Sequence, residues 1–455
     1  MGTQGVTLPL PPTPLLTHCA GEPFVFALDG GDERSWGSGL ALVGFRPRAT
    51  LHVTASGTAT VRTMERELRW SGDPFALLDR FRAEFGPTDD LSPAASGGIL
   101  VALSYELRHC IERLPQRTRT TAALPVLYAA AYDWLLSYSY AEQRYTLSSA
   151  SYSNTELRSL AQHIEVLSRQ AVQTPLVPHR LCAVPDWQQE EYEAAVRVAL
   201  DYIGAGDVYQ VNLAQRLTVA GGYPPPCLFA ALQQINAVPF AAYVDAGDVT
   251  LVSNSPECFL TLQGQTLSTF PIKGTRPRGP SAAADRALVH ALMEDPKERA
   301  EHVMIVDLER NDLGRVCRTG SVRVEEFARV CTFPTLHHMV STVRGALQPA
   351  CGLTAVLRAL FPGGSITGAP KIRAMEIIDE LEPMRRDFYT GAIGFIAANG
   401  DAVFNLAIRT ATVTREQMTY CAGGGIVADS VPEREYAETL LKARPFLTAL
   451  MPPPP

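Results

Sequence analysis

Lys273 is the first residue whose setting suggests chemistry, because in residues 271–275 (PIKGT) it follows apolar residues and precedes a Gly-Thr turn. This is where a strand would end and a cleft could open. A lysine with its ordinary pKa of about 10.4 is almost fully charged at neutral pH, so a nucleophilic role needs burial or a nearby cation. Arg276 and Arg278 are candidate cations. The alternative is an ordinary surface lysine, since most lysines are exposed.

Glu257 begins an apolar run directly after Pro256, which fixes a turn. A carboxyl in that position can give a proton to a departing hydroxyl if a semi-apolar cleft raises its pKa. The hypothesis is therefore a general acid. The alternative is a surface glutamate at the start of a strand.

Two acidic pairs lie at helical spacing, Glu298 with Glu301 and Glu435 with Glu438. Carboxylates three residues apart share a helix face and repel unless a positive charge neutralises them. Mg²⁺ could do so, because this hard cation takes a few carboxylates and keeps waters that a substrate's oxygens can replace. The alternative is a solvated face with ion pairs, such as Glu438 with Lys442.

Two glycine-rich segments could approach a ligand closely, residues 362–371 (PGGSITGAPK) and 422–427 (AGGGIV). The first is not a P-loop, because Lys371 does not directly follow Gly368 and no Ser or Thr comes after it. It is instead typical of an anion site at a helix N-terminus, with Lys371 suited to a carboxylate. A tight turn is the structural alternative for both segments.

Several other classes of site find no support in the sequence. His337 and His338 lack the further ligands of a zinc site, and no serine-hydrolase or dinucleotide motif occurs. The nine cysteines are scattered without a Cys-x-x-Cys pair, which indicates reduced thiols in a cytosol. The chain has 40 basic and 47 acidic residues, and the net charge of −7 argues against a nucleic-acid or anionic-membrane partner. It shows no signal peptide and no apolar run long enough for a membrane helix, so we expect a cytoplasmic protein.

The order of strands and helices expected from the sequence predicts an α+β fold that positions these residues. Residues 1–22 read as a flexible tail, 23–150 as a strand-rich region, 151–184 as a helix and linker, and 185–450 as the segment that carries the candidate residues. Helices are expected over 188–203, 282–313, 369–382 and 432–450, with antiparallel strands between them. Regular βαβ units are missing, which argues against a doubly wound parallel sheet.

The motifs in this order resemble the chorismate-binding family, which includes anthranilate, aminodeoxychorismate, isochorismate and salicylate synthases. The resemblance is strong over about residues 185–447 and weaker over 23–150. The segments that carry it are 255–257, 271–279, 295–315, 363–371, 407–410 and 422–438. The fold that it implies is a sandwich of large antiparallel sheets with helices outside, as in component I of anthranilate synthase.

Two positions discriminate within that family. The anthranilate-forming members of the family resemble one another in having Ala where this chain has Lys273. The isochorismate- and salicylate-forming members have a lysine that activates water where this chain has Gln210. The combination of Lys273 and Gln210 is similar to that of the aminodeoxychorismate-forming members. The implied reaction converts chorismate and ammonia to 4-amino-4-deoxychorismate, the first step towards p-aminobenzoate and folate.

The resemblance also implies roles for individual residues. Lys273 would attack C2 of the ring while Glu257 protonates the departing C4 hydroxyl, and ammonia would then add at C4 and expel the lysine. Mg²⁺ would be held by Glu301 and Glu438, with Glu298 and Glu435 near its waters. The substrate's carboxylates and ring would contact Arg409, Lys442, Thr367, Gly424, Gly425 and His338.

Partners follow from the resemblance as well. The chain has no glutaminase segment of its own, so a separate glutaminase subunit is expected to supply ammonia, in a heterodimer. Residues that resemble a tryptophan-site segment are Asp29, Trp36, Pro239 and Phe240. Two alternatives stay open: anthranilate synthase component I, and a non-catalytic tryptophan-binding relative.

Overall fold

The structure of the chain is a computed structural model that describes residues 4–10, 16, 19–31, 39–87, 96–120, 123–169, 181–221, 223–333 and 336–451. Within these ranges it contains two sheets of twelve strands each and nine α-helices. The strands are, in chain order, β1 (Gln4–Leu8), β2 (Phe26–Asp29), β3 (Leu40–Gly44), β4 (Ala49–Val53), β5 (Thr58–Thr63), β6 (Glu67–Ser71), β7 (Gly98–Leu103), β8 (Leu127–Tyr132), β9 (Trp134–Ser139), β10 (Arg144–Ser149), β11 (Ala183–Pro185), β12 (Gln210–Ala220), β13 (Ala241–Asp245), β14 (Thr250–Asn254), β15 (Cys258–Gln263), β16 (Thr266–Thr269), β17 (Ile272–Pro277), β18 (Arg323–Thr332), β19 (Leu336–Ala346), β20 (Gly368–Ala369), β21 (Ala392–Ala397), β22 (Ala402–Leu406), β23 (Thr410–Val413) and β24 (Gln417–Ile426).

The helices are α1 (Pro74–Phe85), α2 (Asn154–Arg169), α3 (Gln189–Gly204), α4 (Pro225–Ile235), α5 (Ala282–Glu294), α6 (Pro296–Gly314), α7 (Leu353–Leu360), α8 (Lys371–Leu381) and α9 (Pro432–Ala449), with short 3-10 turns at Tyr105–Cys110 and Gly364–Ile366. The single long helix expected over 282–313 is two helices, because Asp295 caps α6 through the backbone N–H groups of Lys297 and Glu298, and Pro296 follows it. An Asp-Pro pair is a regular signal for the start of a helix, so this break could have been predicted from the sequence.

The strand order fixes the architecture. The first sheet runs β1-β10-β9-β3-β2-β13-β14-β23-β24-β12-β11 with β20 added to β12, and the second runs β17-β19-β16-β15-β22-β21-β7-β8-β4-β5-β6 with β18 added to β19. The pairings between these strands are antiparallel. Each sheet contains strands from before and from after residues 151–184. The predicted boundary near Pro185 therefore does not separate two independent sheets.

The two sheets face one another across an apolar core. The rings of Phe26 on β2 and Phe395 on β21 stack with their centroids 5.7 Å apart, and Leu100 and Val244 are buried in the same cluster. The outer face of each sheet is covered by helices, through buried residues such as Leu357 of α7 and Phe446 of α9. The predicted α+β sandwich with outer helices is confirmed.

One part of the predicted flexible tail is structured. Residues Gln4–Leu8 form β1 and pair along their whole length with β10. The expectation for 1–22 is therefore wrong for this segment, because its alternating side chains complete the edge of the first sheet. None of the helices in the described ranges is long and apolar enough to cross a membrane.

Candidate active site

Lys273 lies at an irregularity in β17 that turns its side chain into the site. The register against β19 shifts between Lys273 and Thr275, and Gly274 between them has φ +71°. A Cβ on Gly274 would lie 2.8 Å from Cδ1 of Leu292, so only glycine fits there. Bulges of this kind re-aim side chains beside active sites.

The surroundings of Lys273 make it a better nucleophile than a surface lysine. Burial lowers the pKa of this half-buried amine, while the carboxylates of Glu301 and Glu257 act in the opposite direction. A larger neutral fraction near pH 7 is what nucleophilic attack requires. Lys273 is therefore more buried than the exposed lysine that the sequence offered as the alternative.

Glu257 is buried between β14 and β15 and accepts a hydrogen bond from Oγ of Ser365 at 2.8 Å. Its backbone N–H is fixed by Oγ of Ser255 at 3.2 Å. Burial raises the pKa of Glu257 to about 7, although the Ser365 hydrogen bond and Lys273 lower it. A carboxyl that titrates near neutral pH can both hold and release a proton, as a general acid must.

The glycine-rich segment 362–371 contributes to the site differently from the sequence-based expectation. Lys371 is paired with Oδ2 of Asp312 at 2.5 Å and also donates to the carbonyl of Leu360 at 2.9 Å. This lysine therefore ties α8 to α6 and is not free to hold a ligand's carboxylate. The Thr367 hydroxyl donates within its own turn, to the carbonyl of Gly363 at 2.9 Å.

The predicted acidic residues converge from α6 and α9. Burial raises the pKa of Glu301, and the neighbouring carboxylates of Glu298 and Glu435 raise it further, so the two helices bring like charges together. Burial also raises the pKa of Glu435, with Glu438 adding to it. A Cβ on Gly424 would lie 3.2 Å from Oε2 of Glu435, which shows how closely β24 approaches this cluster.

The four carboxylates are not equivalent. Glu298 is paired with Arg276 at 3.0 Å, and Glu435 accepts from Ser430 at 2.7 Å. Glu438 is paired with Lys442 at 2.7 Å, the helical ion pair that the sequence offered as the alternative.

Within the described residues no group of three potential ligands is close enough to enclose a metal. Hard oxygen donors in this number suit Mg²⁺ held by two carboxylates, with water and substrate oxygens completing its shell.

Positive side chains and the backbone of β24 lie next to the acidic residues. Nζ of Lys442 donates to the carbonyl of Gly423 at 2.8 Å. Arg409 has φ +51°, an uncommon conformation for a non-glycine residue that often marks functional sites. Burial lowers the pKa of Arg409, and its charge acts on Glu257.

Gln210 is fully buried against Gly425. A Cβ on Gly425 would lie 3.0 Å from Cδ of Gln210, and neither Nε2 nor Oε1 of Gln210 has a hydrogen-bond partner in the described part of the chain. Unpartnered buried polar atoms in a cleft are those that a ligand or water would satisfy.

His338 also lies in the site, on β19 beside β17. Its Nδ1 is 3.0 Å from Oγ1 of Thr275 and 3.4 Å from the carbonyl of Gly274, while Nε2 is buried without a partner among the described residues. Burial and the charge of Arg409 lower the pKa of His338 to about 4. The ring is therefore neutral at neutral pH.

The residues predicted to line a tryptophan pocket are partly brought together. Oδ1 of Asp29 accepts from Tyr140 at 2.6 Å and from the N–H of Gly31 at 2.9 Å, and a Cβ on Gly31 would lie 3.0 Å from Cα of Pro239. Phe240 is buried in the cluster that contains Cys258, next to the candidate acid. Trp36 lies outside the described residues.

Sequence reasoning missed two residues of the site. Ser365 could have been found, because it lies inside the glycine-rich segment that was singled out. Glu309 gave no signal, since it sits among charged residues of a predicted helix, yet burial raises its pKa to about 8 and Glu257 contributes.

Comparison with known proteins agrees with this geometry. The family model for chorismate binding enzymes matches residues 25–448. Aminodeoxychorismate synthase component 1 of Escherichia coli is 39% identical over 405 residues, 88% of this chain and 87% of that protein. Anthranilate synthase component 1 of Thermus thermophilus is also 39% identical, over 449 residues, 97% of this chain and 96% of that protein.

A solved structure shares the fold as well. Anthranilate synthase component I from Streptococcus pneumoniae superimposes with a TM-score of 0.78 at 28% identity, covering 90% of this chain and 92% of that one. The match to the family model includes every strand of both sheets except β1, and every residue of the site described above. The chain therefore belongs to the chorismate-binding enzyme family.

Proposed function

We propose that this enzyme makes 4-amino-4-deoxychorismate from chorismate and ammonia. The observation that carries the proposal is Lys273, a partly buried amine with a lowered pKa on the same site as the protonatable Glu257. Sequence identity alone does not choose a product, because relatives named aminodeoxychorismate synthase and anthranilate synthase are equally similar. Lys273 and Gln210 together favour the aminodeoxychorismate product.

The reaction divides into two substitutions at the ring. The neutral amine of Lys273 forms a bond to C2, the ring double bonds shift, and the C4–O bond breaks as Glu257 gives its proton to the departing hydroxyl, which leaves as water. Ammonia then forms a bond to C4, the double bonds shift back, and the C2–N bond to Lys273 breaks. Covalent catalysis splits one difficult exchange into two easier ones.

The positive groups of the site would hold the substrate's two carboxylates. Arg409 and Lys442 carry charge, and β24 offers backbone at Gly424 and Gly425 close enough for direct contact. Thr367 would shape this end through its backbone, because its hydroxyl already donates within its turn. The neutral ring of His338 would lie beside the substrate's ring.

We further propose that Glu301 and Glu438 hold Mg²⁺. When bound, the ion would neutralise the ring carboxylate of chorismate and draw electron density from the ring. Glu435 would support it through bound water. Glu298, which Arg276 engages, would also lie near those waters, whereas Glu438 would exchange its ion pair with Lys442 for the metal.

The proposal also includes a partner subunit, a cytoplasmic location and a bound tryptophan. The name component 1 of several relatives supports a second component, and a glutaminase subunit would deliver ammonia to C4 in a heterodimer. The product would lead to p-aminobenzoate and folate in the cytoplasm. Asp29, Pro239 and Phe240 would contact a bound tryptophan.

One experiment tests the central claim. The purified chain is incubated with chorismate, Mg²⁺ and an ammonium salt at neutral to mildly alkaline pH, and the products are separated before and after addition of an aminodeoxychorismate lyase. A product that the lyase converts to p-aminobenzoate is expected. Anthranilate or isochorismate as the main product would overturn the proposal, and no turnover would favour a non-catalytic relative.

A further inference from the structure

Asp285, in the first turn of α5, accepts hydrogen bonds from two other segments of the chain. Arg278 donates to it from Nε at 2.9 Å and from Nη2 at 2.9 Å, and the N–H of Gly279 donates at 2.7 Å. The bonds from Arg278 hold the pKa of Asp285 well below its usual range, so the carboxyl is ionised and only accepts. Nε2 of His337, a buried residue of β19, therefore donates to Oδ1 at 2.9 Å. Asp285 joins α5 both to the end of β17 and to β19.

The helix α5 has little apolar contact with the rest of the protein. Leu292 is the one buried residue among the 13 of this helix, all of which the structure describes. An isolated helix of about this length is marginal in water, and the bidentate contact between arginine and carboxylate is one of the stronger polar contacts in proteins. The position of α5 therefore depends on Asp285 near its start and on Asp295 directly after its end, which pairs with Arg276 of β17 at 2.8 Å.

The buried leucine of α5 lies behind the bulge that carries Lys273. A Cβ on Gly274 would lie 2.8 Å from Cδ1 of Leu292, so the leucine packs directly against the backbone of the bulge. Leu292 also belongs to one apolar cluster with Met339, the residue of β19 that pairs with Lys273. A shift of α5 would remove this support from the strand irregularity that directs the Lys273 side chain.

We propose that Asp285 is a positioning residue for the reaction of Lys273, because it holds α5 against the bulge at Gly274. The partners that Asp285 has in the structure are not among the residues proposed to bind the substrate, so it acts through α5 and β17. A displacement of about 1 Å at a reacting group can slow the chemical step about a hundredfold. This role of Asp285 rests on the proposed function, which takes Lys273 as the nucleophile.

Asp285→Asn tests this role, because asparagine keeps the size of the side chain and removes the charge that Arg278 binds. Rapid quenching gives the rate constant for formation of the Lys273 adduct, and steady-state assays give kcat and the KM for chorismate. The rate constant and kcat should fall about tenfold or more, while KM changes less than about twofold, since other elements hold the substrate's carboxylates. Unchanged adduct formation, or a higher KM with unchanged kcat, would overturn the proposal.

Two further variants and a control complete the kinetic test. Leu292→Ala removes the apolar contact at the other end of α5 and should reproduce the loss of kcat. Arg278→Gln breaks the bond to Asp285 from its more exposed side and takes the place of Asp285→Asn if that variant does not fold. The matched control is Glu294→Gln, an exposed acid of α5 that pairs with His290 of the same helix at 3.2 Å, and its kinetics should coincide with those of wild type.

Hydrogen exchange without substrate gives a readout that does not depend on the reaction. Peptides that cover α5 and residues 271–279 should exchange faster in Asp285→Asn than in wild type, whereas peptides of β12 in the other sheet should exchange equally. Unchanged exchange in α5 and 271–279 would overturn the proposal whatever the enzyme makes. If exchange is faster but wild type makes anthranilate and forms no adduct, the proposed function fails and the attachment of α5 by Asp285 stands.

Discussion

Oγ of Ser365 lies 2.8 Å from Oε1 of Glu257 and donates a hydrogen bond to it. The bond favours the ionised form and so lowers the pKa of Glu257, against the burial that raises that pKa to about 7. The balance of these two effects decides over which pH range Glu257 can act as an acid.

Ser365→Ala removes the hydrogen bond and is expected to raise the pKa of Glu257. The alkaline limb of kcat should then move to higher pH by about one unit. Ser321→Ala, which removes a hydroxyl bonded to the carbonyl of Arg318 far from the site, serves as the control. A shift to lower pH would show that Ser365 does not act on the carboxylate form of Glu257.

Lys273→Ala should abolish a covalent intermediate. Intact-mass measurement after rapid quenching of wild type with chorismate is expected to show an adduct of chorismate less water, and the variant should show none. The chain has only four lysines, so peptide mapping can locate the adduct, and the exposed Lys297→Ala is the matched control. Full synthase activity in Lys273→Ala would mean that the lysine is not a nucleophile.

Removal of individual carboxylates should separate the metal ligands from their neighbours. Glu301→Gln and Glu438→Gln are expected to raise the free Mg²⁺ needed for half-maximal activity at least about tenfold, the range seen even for residues that only support ligands. Glu298→Gln should change it less, because Glu298 is proposed to lie near the bound waters and not at the ion itself. Calorimetric Mg²⁺ binding provides the direct measurement, and equal effects at all three positions would contradict the assignment.

Glu257→Gln should alter the pH dependence of stability. The folded chain keeps this proton up to a pKa of about 7, whereas the unfolded chain releases it near about 4.3. The stability that this group contributes is therefore complete below the unfolded pKa and is lost as pH rises through the folded one, on the order of 3 kcal/mol in total. Wild type should lose more Tm between pH 5 and 8 than Glu257→Gln does.

The control for that comparison is Glu84→Gln, an exposed acid of α1 paired with Arg80. Its Tm should follow wild type across the same pH range. Parallel curves for wild type and Glu257→Gln would show that Glu257 has an ordinary pKa in the folded chain.

Lys371→Gln is expected to destabilise the fold by about 3 kcal/mol, because it leaves the buried carboxylate of Asp312 without its partner. Asp312→Asn in the same background should restore part of the lost free energy of unfolding. Denaturant titration measures both. The KM for chorismate of the folded variant should remain close to wild type, and a large rise would return Lys371 to the role of carboxylate ligand.

Residue types and spacing were sufficient for much of this protein. The α+β class could be predicted from the pattern of strands and helices, and the acidic pairs from helical spacing. The sandwich and the joint roles of Lys273 and Glu257 followed from the resemblance to the chorismate-binding family. Gln210 could be singled out by the same resemblance, as one position in a short motif.

What the sequence could not supply is the partner of each charged group across the fold. Lys371 was predicted to bind a carboxylate, and it does, but the carboxylate is Asp312 on another helix. Glu309 looked like any other helical acid, and Ser365 like a turn residue. Pairing, burial and the resulting pKa values depend on contacts between segments far apart in the chain, so only the tertiary structure decided which of the sequence's charged residues face the site and which hold it together.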